Sequence, residues 1–258
     1  MKIAISGKGG VGKTTIAAVL ARLYADKGYK VLAVDADPDA NLASALGLPE
    51  AVAGRIVPLS AMKSLVEERT GAKPGVFGGF FKLNPRVDDI PDRFSVESHG
   101  VKLIVMGAVE RGGAGCICPE SALLRNLMRH LLVERGEVVV MDMEAGIEHL
   151  GRGTAEAVDA LIVVVEPGQG SIQTARSIRR LAGDIGIKRI FLVGNKVRNE
   201  TEANYLEKSL PDIPYLGSVR ENMKVRQADL HGESSYEVDE NFVRQVDEIR
   251  MELEKAVK

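Results

Sequence analysis

Nine consecutive residues near the N-terminus, Gly7-Lys8-Gly9-Gly10-Val11-Gly12-Lys13-Thr14-Thr15, have the types and spacing of a loop that holds phosphate. Glycines let backbone amides turn inward around phosphate oxygens, and a helix beginning at the loop's end adds the positive pole of its dipole. In such a loop Gly9, Gly10, Val11 and Gly12 supply amides and Lys13 holds the β- and γ-phosphates. The Thr14 hydroxyl coordinates Mg2+, and Thr15 reaches the α-phosphate. An apolar run, Lys2–Ser6, precedes the loop and an amphipathic segment follows it. A chance glycine-rich turn would need neither.

Acidic residues follow two further apolar runs. One is Asp35-Ala36-Asp37-Pro38-Asp39-Ala40-Asn41. Asp35 closes its run and reads as an outer-shell partner of Mg2+; Asp39 reads as a helix N-terminal residue, where a carboxylate suits the dipole. The other is Val138–Gly146, VVVMDMEAG, a buried strand ending in an aspartate in the Walker B manner. Asp142 is then placed to hold a Mg2+-bound water, and the Gly146 amide to sense the γ-phosphate within a responsive segment, Glu144–His149. His149 alone in a loop reads as a surface polar residue rather than a metal ligand.

The chain has two cysteines, Cys116 and Cys118, separated by one residue. A disulfide across that spacing would be strained, so reduced thiols are expected. Near a helix N-terminus they would have lowered pKa values and act as soft metal ligands. Two thiolates make half of a tetrahedral site, and two chains facing across a two-fold axis would complete it. The bland alternative is a pair of incidental thiols.

Alternating elements must position these groups. Candidate strands are Lys2–Ser6, Lys30–Asp35, Val101–Gly107, Glu137–Asp142, Ala160–Glu166, Arg189–Asn195 and Tyr215–Gly217. Several are unbroken apolar runs, as in strands buried on both faces. Helical stripes lie between them: Ile16, Val19, Leu20 and Leu23; Leu123 to Leu132; Ile172, Ala175, Ile178 and Leu181–Ala182. The pattern predicts an α/β fold, one domain over residues 1–258 with a mostly parallel central sheet and helices on both faces. One segment, Thr70–Phe94, breaks the rhythm with Gly, Pro and the clustered Phe77, Phe80 and Phe81. It reads equally as an interface or as a loop packed by its aromatics. A C-terminal helix from Glu240 carries mixed charge on its polar face, which suits packing on the domain.

With 34 basic and 36 acidic residues the formal charge is -2, so nothing global attracts nucleic acid or acidic lipid. No apolar run approaches the roughly 18 residues of a membrane span. The N-terminal residues lack the blocks of a secretion signal, so no nucleic acid, no membrane and a cytoplasmic location are expected.

The early lysine in G-K-G-G-V-G-K-T-T resembles the deviant Walker A ATPases, which include the MinD, ParA, arsenical-pump and nitrogenase iron-protein kinds. The resemblance implies ATP hydrolysis in a closed homodimer, with Lys8 reaching the partner's nucleotide and Asp37, before Pro38, orienting or deprotonating the attacking water. It also places Asn195 and Lys196 at the adenine-contacting position, with the Asn195 amide facing the base, and the segment from Pro214 to Asn222 beside the base pocket.

Together with Asp-Ala-Asp-Pro, the KPG…GGFFKLNPRVDDIPDRF excursion, GCICPE and MDMEAGIEHLGRG, the chain resembles the CooC-type nickel-insertion ATPases along nearly its whole length. That resemblance implies a metallochaperone with Ni2+ or Zn2+ held by Cys116 and Cys118 between subunits, and apo carbon monoxide dehydrogenase or a related nickel enzyme as client. The alternative is an ATP-gated electron donor with an intersubunit [4Fe-4S] cluster. It is disfavoured because cysteines in one tripeptide gather four sulfurs around a single ion. A DNA- or membrane-bound positioning ATPase would need a basic patch, and Arg176, Arg179 and Arg180 with Lys188 and Arg189 make a weak one.

Overall fold

In the computed structural model, which describes residues 1–73, 80–107, 118–147 and 150–258, the described segments that follow Gly7, Asp35 and Asp142 leave one sheet at its carboxyl edge. The strands are β1 (Lys2–Gly7), β2 (Val31–Asp35), β3 (Val96–Ser98), β4 (Val101–Val105), β5 (Val138–Asp142), β6 (Ala160–Val165), β7 (Ile190–Val197) and β8 (Tyr215–Arg220). Their spatial order is β3-β4-β2-β5-β1-β6-β7-β8, and all pairs are parallel except the β3–β4 hairpin. From β1 the chain crosses to β2 on one side, and after β5 it passes to β6 on the other. The loop after β1 therefore sits where strand order reverses, the usual ligand crevice of an open parallel sheet.

The helices are α1 (Lys13–Asp26), two short turns α2 (Leu42–Ala45) and α3 (Glu50–Ala53), α4 (Lys63–Thr70), α5 (Ile90–Phe94), α6 (Pro119–Arg129), α7 (Arg152–Ala155), α8 (Gln169–Ile185), α9 (Glu200–Ser209), α10 (Met223–His231), α11 (Ser235–Val238) and α12 (Glu240–Val257). Strand side chains alternate between faces, and the core splits accordingly. Ile3, Ile5, Val138 and Val140 pack with α1, α2 and α12; Ala4, Val139 and Met141 pack with α4, α6, α8 and α9. A rigid double-faced core of this kind leaves loop geometry to be set at the strand ends.

The fold matches the α/β expectation, with four differences besides shifts of one or two residues at strand ends. The β3–β4 hairpin was not foreseen; His99 and Gly100, both at positive φ, turn it. β8 runs to Arg220, beyond the expected Tyr215–Gly217, so most of the segment from Pro214 to Asn222 is edge strand. The α6 stripe ends in a π turn, His130–Glu134, which lets the adjacent Leu131 and Leu132 both face the core. Leu181, assigned to the α8 stripe, points outward, while Ala182 is buried.

The described part of the excursion is held by polar bonds. Arg69 and Arg93 share Asp89, Lys82 N donates to Thr70 O, and Asn126 Nδ2 donates to Leu83 O. The two guanidiniums keep the Asp89 carboxyl well below the usual range. Phe80 is fully exposed, so packing by that aromatic is not what fixes the loop; Phe94 does lean on the core. Among the described residues no helix is long and apolar enough to cross a membrane. Arg176 and Arg179 donate to the carbonyls of Ser209 and Asp212, which ties α8 to the turn before β8 and gives these arginines a structural task.

Candidate nucleotide site

The loop between β1 and α1 is bent by position-specific glycines and pinned by one apolar side chain. A Cβ at Gly7 would sit 2.4 Å from Val164 O, so the loop can leave β1 in this direction only with glycine. Val11 is fully buried, and that burial contributes about 1.5–3 kcal/mol. α1 begins at Lys13 and presents its free N-terminal amides to the same hollow.

Three acidic side chains converge beside Lys13 and Thr14. In the sheet, Asp35 and Asp142 are register partners at the ends of β2 and β5. Thr14 Oγ1 donates to Asp142 Oδ2 at 2.5 Å. Among the described residues, the buried Asp142 Oδ1 has no hydrogen-bond partner. Burial raises the Asp142 carboxyl from its ordinary value to about 7; the Thr14 hydroxyl pulls it down and the neighbouring Asp35 pushes it up. A hydroxyl beside a carboxylate with one free oxygen is a hard-oxygen donor set, and it fits Mg2+. Thr14 and Asp142 would hold that ion directly or through water.

Asp35 is fully buried and acts as a latch. Oδ2 accepts from Leu42 N at 2.9 Å and Oδ1 from Asp37 N at 3.3 Å. Burial raises it to about 6, against the pull of those amides. Each oxygen thus holds one amide of the loop 36–42. The latch brings Asp37 Oδ2 to 3.7 Å from Lys13 Nζ, although Lys13 is itself 7% exposed. Asp39 lies in an exposed turn, its amide donating to Asp37 Oδ1, and α2 starts only at Leu42.

After β5, the Ser6 hydroxyl holds Glu144 O at 2.8 Å, and Gly146 lies in the turn that follows. The reading of Glu144–His149 as one responsive segment extends beyond the described residues, which stop at Ile147 and exclude His149. Lys8 is exposed and lies across the start of α8: a Cβ at Gly170 would be 3.1 Å from its Nζ. Thr15 sits in the first turn of α1. Asn195 is 5% exposed and its Nδ2 donates to Val11 O at 2.7 Å. Lys196 Nζ donates to Gly10 O at 2.5 Å. Sequence reasoning placed both of these near the base and did not foresee their hold on the loop.

Cys118 is the N-cap of α6; its Sγ accepts from Ser121 N at 3.4 Å and lies 3.1 Å from Ser121 Oγ. The thiol is half-buried and is not in a disulfide. Burial pushes its pKa up, outweighing the Ser121 bonds, which corrects the expectation of a lowered value from the helix terminus alone. Cys116 lies outside the described residues, so the C-x-C pair is described here through Cys118 only.

The CobQ/CobB/MinD/ParA nucleotide binding domain model matches residues 2–235. Carbon monoxide dehydrogenase accessory protein CooC of Rhodospirillum rubrum is 50% identical over 92% of this chain and 90% of its own length. An uncharacterized ATP-binding protein of Methanocaldococcus jannaschii is 54% identical over 78% of this chain and 76% of its own. A chain of the MinC:MinD cell division protein complex of Aquifex aeolicus has a similar fold, with a TM-score of 0.69 at 20% identity over 99% of this chain and 96% of that one. A ParA family ATPase from Chlorobium tepidum gives 0.68 at 20% identity over 98% and 97%.

Proposed function

Because this chain belongs to the CobQ/CobB/MinD/ParA nucleotide-binding family and is an ATPase of that type, we propose that its ATP cycle drives metal insertion during maturation of carbon monoxide dehydrogenase. The observation that carries this reading is the similarity to CooC along nearly the full length of both chains. Nickel is the cargo the client's chemistry calls for. Cys116 and Cys118 are its ligands, and the half-buried Cys118 thiol at the head of α6 supports that role. Since a soft tetrahedral site takes about four thiolates, two chains close around one ion.

The chain's own residues do most of the work on ATP. Lys13, now paired with Asp37, exchanges that carboxylate for the β- and γ-phosphates. Asp37 is thereby released to orient the attacking water and accept its proton as the water oxygen bonds to the γ-phosphorus and the β–γ bridge breaks. Mg2+, when bound with the nucleotide, neutralises charge on the phosphates. Asp35 couples the event to the rest of the loop, because it holds both Asp37 and Leu42. Lys8 of one subunit then engages the nucleotide of the other only in the closed pair, so hydrolysis alone is slow.

The test is activation of apo carbon monoxide dehydrogenase with limiting Ni2+. The unmutated chain with ATP should raise activity well above nickel alone, and a non-hydrolysable ATP analogue or the Lys13→Ala variant should not. Equal activation with and without the chain would refute the assignment.

A further inference from the structure

β7 carries a bulge beside the phosphate loop. Its pairing with β8 slips register between Gly194 and Val197, and within that slip Lys196 adopts φ 55, a left-handed value uncommon for lysine. Such backbone strain persists only when surrounding contacts hold it. The contacts here are specific: two successive residues of the bulge grip two successive carbonyls of the phosphate loop. Lys196 Nζ takes Gly10 O at 2.5 Å from the exposed side, and Asn195 Nδ2 takes Val11 O at 2.7 Å from the buried side. Gly12 makes the second grip possible, since a Cβ there would lie 2.3 Å from Asn195 Nδ2.

A trans peptide sets the carbonyl of one residue antiparallel to the amide of the next. Drawing the Gly10 and Val11 carbonyls toward β7 therefore turns the Val11 and Gly12 amides away from it. Those are amides the loop needs for phosphate, and among the described residues the Val11 amide is otherwise engaged only by a long 3.4 Å bond to Lys8 O. The remaining group is Glu166, just past β6, whose Oε2 lies 3.3 Å from Lys196 Nζ; the two side chains are about one-third and two-fifths exposed.

We propose that Glu166 is a positioning residue for nucleotide binding: its carboxylate seats the Lys196 ammonium on the Gly10 carbonyl and so, with Asn195, presets the phosphate-binding amides. This rests on the nucleotide site described above and adds to it a residue and a role that reads phosphate rather than base. Glu166 also offsets the Lys196 charge, which keeps the ammonium on the carbonyl instead of on a phosphate.

The test uses the full chain and its Glu166→Gln, Lys196→Met and doubly substituted variants. Affinities for ATP, GTP and inorganic tripolyphosphate, each with Mg2+, are measured by calorimetry, with thermal melts to verify folding. Glu166→Gln and Lys196→Met should each weaken all three ligands by a similar factor of about 3–10, the scale of one charge-assisted hydrogen bond. The double variant should lose no more than Lys196→Met alone, because Glu166 acts through that lysine. Loss confined to ATP, with tripolyphosphate unaffected, would make Lys196 a base contact and overturn the proposal. So would unchanged tripolyphosphate binding in Glu166→Gln, or fully additive losses. If the unmutated chain binds none of the three, the nucleotide site itself is refuted, and the preset loop falls with it.

Discussion

Replacing Asp142 with asparagine should stabilise the free chain at alkaline pH while abolishing the Mg2+ dependence of nucleotide binding. The carboxyl is 1% exposed and is raised from 3.8 to about 7, chiefly by burial. Because the folded state binds this proton more tightly than the unfolded state, stability falls as pH rises between those two values. Above the upper one the full penalty applies, on the order of 4 kcal/mol. Near pH 5.5 about 2 kcal/mol of it remains. Asparagine removes the charge and can still accept from Thr14 Oγ1, but its Nδ2 takes the place of Oδ1, which has no partner among the described residues, and is taken as unpaired. That costs about 1–3 kcal/mol. The Asp142→Asn variant should therefore be more stable than the unmutated chain by about 1–3 kcal/mol near pH 8, and about equal to it near pH 5.5. Urea unfolding in chelator, without nucleotide, measures both. A variant equally destabilised at the two pH values would refute the argument that a buried, unsatisfied charge sits at this position.

Gly12→Ala should be folded but unable to bind ATP, because the new Cβ meets Asn195 Nδ2 in a backbone already at φ 90; calorimetry showing near-normal affinity would contradict the crowding. Asp37→Asn should keep ATP affinity within a few-fold while lowering hydrolysis by about 100-fold, as for loss of a positioned base; phosphate release assays decide it. Asp239→Ala removes the cap whose Oδ1 accepts from Phe242 N at 2.7 Å, and should cost about 1 kcal/mol in urea unfolding with ATP binding untouched.

Much of the site was legible because chain-local patterns carry it. Lys13 and Thr14 follow a glycine run, and Asp142 ends an apolar strand, so motif and element coincide. What was not legible depends on distant partners. Nothing in the neighbourhood of Asp35 announces that both of its oxygens will be used by amides of Asp37 and Leu42; that needs the turn after β2 to fold back. Asn195 and Lys196 meet the phosphate loop across about 184 and 186 positions, a separation that β7 closes by lying one strand beyond β6. The β3–β4 hairpin was missed since its turn is His-Gly rather than the commoner Asn-Gly, and β3 is only three residues long and half-buried. The Cys118 thiol shows the limit of reasoning from a helix terminus: burial outweighs it.

The most direct test of the account is metal content per chain, measured by equilibrium dialysis against Ni2+ and Zn2+ after anaerobic purification, with and without ATP, alongside the Cys116→Ala/Cys118→Ala variant and with molar mass followed by light scattering. The account predicts about one ion per two chains, held by four thiolates, lost in the variant and changed in affinity by ATP. Several irons per pair with labile sulfide, or no bound metal in a chain that still hydrolyses ATP, would contradict it.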